Sequence, residues 1–128
     1  MVIDHTSNLI VSLKNASAAG KDYLVVPSTK MNTAILNVLK SNAFIGEFSN
    51  KKDDKGIKVE LLYRDGMPAI TDVKRISKNS KRVYSSSTEL KSVKRGYGMV
   101  VLTTPNGVLS GSDARKAKVG GEVLFEIW

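Results

Sequence analysis

The side chains with chemistry to offer are mostly hydroxyls and cations. Thr103 and Thr104 lead into Pro105-Asn106-Gly107, and Ser110 follows, between apolar residues 99–102 and Val108-Leu109. A Pro-Asn-Gly turn between apolar runs predicts a hairpin, because Pro pre-sets one dihedral while Asn and Gly tolerate positive φ. The hydroxyls then flank backbone N–H groups that a turn leaves unpaired, a combination suited to phosphates and sugar hydroxyls. Glu122, just after Gly120-Gly121, is a carboxylate without a partner acid, nucleophile or metal nearby in the sequence, which makes it a poor general base.

Other chemistries find no residues to carry them. The chain has no cysteine and one histidine, His5, so thiolate metal sites, disulfides and paired-histidine sites are ruled out. No carboxylate cluster has metal-ligand spacing. Gly96-Tyr97-Gly98 leads into a strand, whereas a dinucleotide fold needs a helix there. No catalytic residue, metal or cofactor is expected. A small hydrolase built on Glu122 and His5 is a distant third reading, since nothing brings the two together.

Charge narrows the field. The 128 residues carry 20 Lys or Arg against 12 Asp or Glu, a net charge of +8. Residues 72–97 alone hold eight basic residues against Asp72 and Glu89, a net +6. Any single lysine there is explained as solvated surface, but the cluster favours a polyanion-binding face. No apolar run approaches the roughly 20 residues of a membrane helix, and no signal-peptide pattern opens the chain.

The elements that must position these residues follow from periodicity. Asp4 can cap a helix from His5 to about Ala18, with Leu9, Ile10, Leu13 and Ala16 on one face and Gly20 at its stop; Lys14 and Asn15 lie off that stripe, as a solvated helix face would. Residues 23–26 form a short strand ended by Pro27. Ser28 or Thr29 caps a second helix whose stripe is Met31, Ala34, Ile35, Val38 and Leu39. Ser28, Thr29 and Lys30 serve equally as a cap or as an anion site at that helix N-terminus. Strands are expected at 44–48 and through Ile57, Val59, Leu61 and Tyr63, joined by a polar loop at 50–56, and Asp65-Gly66 turns the chain into a further strand at 69–76. The fold class is α+β. Residues 1–71 form an N-terminal domain of two helices on a three-stranded antiparallel layer, and 72–128 a mostly β C-terminal domain with a short exposed helix at 113–118 and another helical turn near 89–93. Tyr84, the aromatic among the basic residues, fits a core position slightly better than a stacking platform, since platforms use several rings.

These residues fall into a family pattern. Arg75-Ile76-Ser77-Lys78 with Arg82-Val83-Tyr84, Gly96-x-Gly98, Gly107-Val108 before Ala114-Arg115-Lys116, and Gly120-Gly121-Glu122 resemble the bacterial type of the small-subunit ribosomal protein eight family. Ser12-Leu13-Lys14-Asn15, Pro27-Ser28-Thr29-Lys30, residues 35–40 and Gly46 occur in the family's order, so the resemblance covers the whole chain. It implies a structural constituent of the small subunit, a primary rRNA-binding protein that contacts central-domain helices through both halves, aids assembly, and represses its own operon's mRNA. Neighbouring small-subunit proteins are the other implied partners, with no membrane and a monomer off the ribosome. The implied location is a cytoplasmic or organellar ribosome.

Carried over by residue, the RNA-reading surface is Thr103, Thr104, Pro105, Asn106 and Gly107 with Tyr84 and Glu122, and Lys14, Asn15, Ser28, Thr29 and Lys30 add backbone contacts from the other half; the basic residues of the middle segment, Lys78 and Arg82 among them, are expected from their charge to hold phosphates. Glu122 is expected to accept hydrogen bonds from turn N–H groups, hydroxyls or a nucleobase donor. Two departures stand out. The family's Ser-Thr-Ser-Lys-Gly is Thr103-Thr104-Pro105-Asn106-Gly107 here, which removes one hydroxyl, one N–H and one cation, and its Lys-Pro-Gly is Lys78-Asn79-Ser80. Pro105 can still stack on a base or ribose and stiffen the loop. The alternative from another class is a basic protein-interaction module without RNA, in which 123–128 offers a strand edge.

Overall fold

The computed structural model describes residues 5–51, 56–78, 80–88, 90 and 98–128. The expected Asp4 cap, the middle of the 50–56 loop, the helical turn near 89–93 and Gly96-Tyr97 lie outside them. The chain divides into two compact units, His5–Thr71 and Asp72–Trp128.

In the first unit, α1 (His5–Ala18) buries Leu9, Ile10, Leu13 and Ala16 as its spacing predicts. Gly20, at φ +75°, closes it: its N–H donates to Ser17 O and that of Lys21 to Ala16 O, satisfying carbonyls the helix leaves open. β1 (Tyr23–Pro27) leads to α2 (Lys30–Ser41), capped by Thr29, whose hydroxyl accepts from Asn32 N–H at 3.0 Å. The buried face of α2 is Asn32, Ile35, Leu36 and Leu39, while Met31 is 39% exposed. This corrects the expected stripe. Asn32 turns inward because its amide donates to Pro27 O at 2.9 Å, and that anchor swings Met31 outward.

β2 (Ile45–Lys51) and β3 (Gly56–Leu61) form the remaining strands of an antiparallel sheet ordered β1-β3-β2. Ile57, Val59 and Leu61 point into the core and Lys58 and Glu60 outward. β1 and β2 occupy both sides of β3, and residues 69–76 do not join this sheet. Asp65 and Gly66, both at positive φ, instead turn a small hairpin of β4 (Tyr63–Arg64) and β5 (Met67–Pro68). Tyr63 therefore belongs to this hairpin and not to β3. Only Val73–Arg75 is a strand, β6, and it pairs in the other unit.

The second unit is a sheet around β10 (Gly121–Ile127), built with β8 (Met99–Thr104), β9 (Gly107–Ser110) and β7 (Tyr84–Ser85) in the order β6-β10-β8-β9, with β7 also on β10. α3 (Gly111–Ala117) starts at the N-cap Ser110, whose Oγ accepts from Asp113 N–H at 3.2 Å. α3 is not wholly exposed: Ala114 is fully buried with Leu102, Val100, Val123 and Leu90 in one core cluster. The turn also differs from expectation. Asn106 keeps a negative φ, and Gly107, at φ +105°, is the turn's positive-φ residue.

Because β10 pairs with β8 on one side and with β6 and β7 on the other, residues 123–128 are no free edge. Val123, Leu124, Phe125 and Ile127 are buried. The strand-addition mechanism of the protein-interaction alternative thus loses its surface.

Candidate nucleic-acid interface

One row of residues crosses three strands. Glu122 of β10 lies opposite Tyr84 of β7 and opposite Thr103 of β8, so the three side chains share one face of the sheet. Tyr84, in the two-residue strand β7, is 69% exposed, which overturns the core reading. The next row holds Ser85 and Gly121. A Cβ on Gly121 would fall 2.0 Å from Thr103 O and one on Gly120 2.4 Å from Ser85 O, so the backbones close up only because both residues are glycine. That closeness sets Glu122 between the aromatic and the threonine.

The turn stands at the end of this row. Thr104 and Gly107 close the β8–β9 hairpin, leaving Pro105 and Asn106 exposed at its tip. The Thr104 hydroxyl is committed to the turn, accepting from Asn106 N–H at 3.1 Å and donating to Gly107 O at 2.8 Å. Ser110, buried at the cap of α3, does not flank the tip as the sequence suggested. Thr103, half-buried beside Glu122, is the hydroxyl of the group neither spent on the turn nor on a helix cap.

On the other side of β10 the chain leaves the sheet between β6 and β7. This excursion is pinned at its mouth: Lys78 N–H donates to Lys81 O at 2.8 Å and Lys81 N–H to Lys78 O at 3.0 Å. Lys78, Ser80, Lys81 and Arg82 are exposed on it. Its base is tied to Glu122, whose Oε2 accepts from Ser77 Oγ at 2.5 Å and from Arg82 Nη1 at 3.0 Å. Glu122's expected donors in the turn are thus replaced by a serine and an arginine from the basic segment. Burial of this carboxyl raises its pKa, but the Ser77 and Arg82 hydrogen bonds and the charges of Arg82 and Arg75 outweigh burial, so it lies below the ordinary carboxylate value. Glu122 is a fixed anion at neutral pH.

The predicted residues of the first unit form a separate group. Ser28, Thr29 and Lys30, with Thr33, Ala34 and Asn37, line an open cleft of about 490 Å³ at the N-terminus of α2. Thr29 Oγ1 is the helix cap, so the cap reading accounts for that hydroxyl. Lys14 and Asn15, on α1, do not line the cleft. Ser77 is the residue sequence reasoning left out of the site, although it stands inside the quoted Arg-Ile-Ser motif; its 0% exposure hides it behind the side chains it holds.

Among the described residues there is no group of three or more His, Asp or Glu able to hold a metal and no helix long and apolar enough to cross a membrane. The family model for ribosomal protein S8 matches residues 4–128. The chain belongs to the ribosomal protein S8 family. It is similar to small ribosomal subunit protein uS8 of Oleidesulfovibrio alaskensis, at 40% identity over the full length of both chains (100% of each). It is also similar to uS8 of Sphingopyxis alaskensis, at 39% identity over 98% of this chain and 97% of that one, and of a Bradyrhizobium strain, at 40% over the same shares. Membership in the S8 family makes the chain a ribosomal protein and not an enzyme, as the sequence resemblance implied.

Proposed function

We propose that this S8-family chain is a structural constituent of the small ribosomal subunit that binds the central domain of the rRNA directly and aids subunit assembly. The observation that carries the RNA reading is the Tyr84–Glu122–Thr103 row, set between an exposed Pro-Asn tip and a pinned loop of exposed cations. Each part has a distinct task. Lys78, Lys81 and Arg82 neutralise phosphates without regard to sequence. The ring of Tyr84 stacks on a base or sugar, and the Thr103 hydroxyl and the Pro105-Asn106 tip fit an irregular helix through its 2′-hydroxyls and exposed base edges. Glu122 adds selectivity of a different kind: an ionised carboxylate repels phosphate and accepts hydrogen bonds only, so it favours a base amine or 2′-hydroxyl at that point.

On this reading the domain of residues 72–128 carries the main RNA surface. The domain of residues 1–71 adds a second, weaker contact, with Ser28, Thr29 and Lys30 at the α2 cleft and Lys14 and Asn15 on α1 meeting phosphates. The free protein is a monomer. The same surface accepts any RNA that presents the same distorted helix, which is how an operon mRNA copying that helix would be bound and its translation repressed.

Titration of binding to a central-domain rRNA fragment against salt tests the proposal. Five cations at phosphates, Lys78, Lys81 and Arg82 with Lys14 and Lys30, predict a slope of about −3.5 to −4.5 in log K against log salt. A flat slope, or equal affinity for an unrelated duplex of the same length, overturns it.

A further inference from the structure

Ser77 sits where three parts of the interface meet. It is fully buried, and its hydroxyl donates to Glu122 Oε2 at 2.5 Å while accepting from Val83 N–H at 3.1 Å. One hydroxyl thereby ties the start of the basic excursion to its end and both to β10. Val83 O in turn accepts from Val123 N–H at 2.8 Å, and Tyr84 follows directly in β7. Arg82, one residue before Val83, shares the same carboxylate oxygen at 3.0 Å. Ser77 and Arg82 both bond to Oε2, which fixes the orientation of the Glu122 carboxylate.

We propose that Ser77 is the positioning residue of this interface: its buried hydroxyl fixes the segment that carries Lys81 and Arg82, the Tyr84 strand and the Glu122 carboxylate in one arrangement, so that they meet RNA already ordered. This rests on the RNA-binding reading of the same surface. A loop ordered before binding loses less conformational freedom when it binds, so the clamp raises affinity without touching RNA. It also holds the cations at a set spacing, which a flexible loop of the same charge would not do.

The consequences differ from those of a hydroxyl that merely stabilises the fold. Ser77→Ala removes the donor to Glu122 and the acceptor for Val83 N–H while keeping the backbone and nearly the volume. In the full chain it should weaken binding to a central-domain rRNA fragment about tenfold and flatten the salt slope. In a double-mutant cycle, Ser77→Ala added to Lys78→Gln/Lys81→Gln should cost much less than Ser77→Ala alone, because the cations it positions are already gone. Additive effects within about twofold, or Ser77→Ala binding as well as the unmodified protein, overturn the proposal. Amide exchange on the unmodified protein gives a check that needs no variant: Val83 N–H should be protected in the free state, and its exchange at the rate of an exposed loop amide would show the clamp absent. Absence of salt-dependent binding by the unmodified protein would instead strike the RNA reading itself.

Discussion

Glu122→Gln tests the central group of the interface, because it preserves the shape of the side chain and removes only its charge. Oε2 accepts from Ser77 Oγ at 2.5 Å and from Arg82 Nη1 at 3.0 Å. A hydrogen bond to a charged group contributes about 1.5–3 kcal/mol and a neutral one about 0.5–1.5, so neutralisation removes roughly 1 kcal/mol at the buried Ser77. The Arg82 side chain is 48% exposed, and solvent screening leaves at most about 0.5 kcal/mol there. The sum lowers the thermal midpoint by about 4–6 °C for a chain of this size. The pH dependence has a fixed sign. Burial raises the Glu122 pKa, yet the Ser77 and Arg82 bonds with the charges of Arg82 and Arg75 bring it below its ordinary value. A carboxyl depressed in the folded state stabilises fully above the unfolded pKa and loses that contribution as pH falls through the folded one. The gap between Glu and Gln proteins should therefore be constant at neutral pH, begin to close near about pH 4.3, and vanish below the folded pKa. In RNA binding, the Gln amide that keeps its oxygen on Ser77 and Arg82 presents an NH₂ donor in place of the carboxylate's second acceptor oxygen, and affinity should fall about 3–10-fold. Thermal unfolding over pH 3–8 and RNA titration at neutral pH measure the two effects. A midpoint shift under about 1 °C, or a gap that widens with acid, would refute the reasoning.

Three further substitutions separate contact from scaffold. Tyr84→Ala should weaken binding to the central-domain fragment by about 1–3 kcal/mol, as loss of one stacked base does, while the unfolding midpoint stays nearly unchanged because the ring is 69% exposed; loss of stability without loss of affinity would return Tyr84 to a structural role. Thr103→Ala should cost about 1 kcal/mol of RNA affinity for one net hydrogen bond, read by the same titration, and an effect below a few tenths removes the hydroxyl from the site. Gly121→Ala should destabilise by more than about 2 kcal/mol in denaturant unfolding, since its Cβ would fall 2.0 Å from Thr103 O on a paired backbone; a neutral result would mean that β10 and β8 do not approach so closely.

The division of labour in the second unit follows from where charge can be afforded. Lys78, Ser80, Lys81 and Arg82 lie on a loop whose backbone bonds to itself at its mouth, so its cations need no apolar support and can stand in solvent. The acid among them is set deeper: the Glu122 side chain is 14% exposed against 48% for Arg82. On the proposed RNA-binding reading, an anion at this surface is tolerable only when it is neutralised from its own side, as Arg82 neutralises Glu122. At the turn, Thr104 holds the shape of the tip through Asn106 N–H and Gly107 O, and neither Pro105 nor Asn106 carries charge.

Much of this was legible in the sequence because it depends on near neighbours. The α1 stripe of Leu9, Ile10, Leu13 and Ala16, the β3 alternation and the hairpin at Pro105-Asn106-Gly107 are set by residues within a turn or two of each other. Where distant residues decide, local pattern failed. Met31 fits the α2 period but is turned out by the Asn32 anchor on Pro27 O. Residues 69–76 alternate well enough for a strand in the first sheet, yet the strand there is Val73–Arg75 and it pairs with β10. Tyr84 and Ser77 show the same limit at the interface. A lone aromatic in a basic run is as consistent with core as with surface until β7 is laid against β10, and a serine in Arg-Ile-Ser has no periodic signature at all. Its role appears only when Glu122, 45 positions later, is brought to its hydroxyl. The family resemblance listed the turn, Tyr84 and Glu122, of which Tyr84, Pro105 and Asn106 are exposed and Glu122 is 14% exposed at its side chain. It could not list the residue beneath them, since a positioning group is defined by cross-strand register, and register is a property of the folded sheet and not of spacing along the chain.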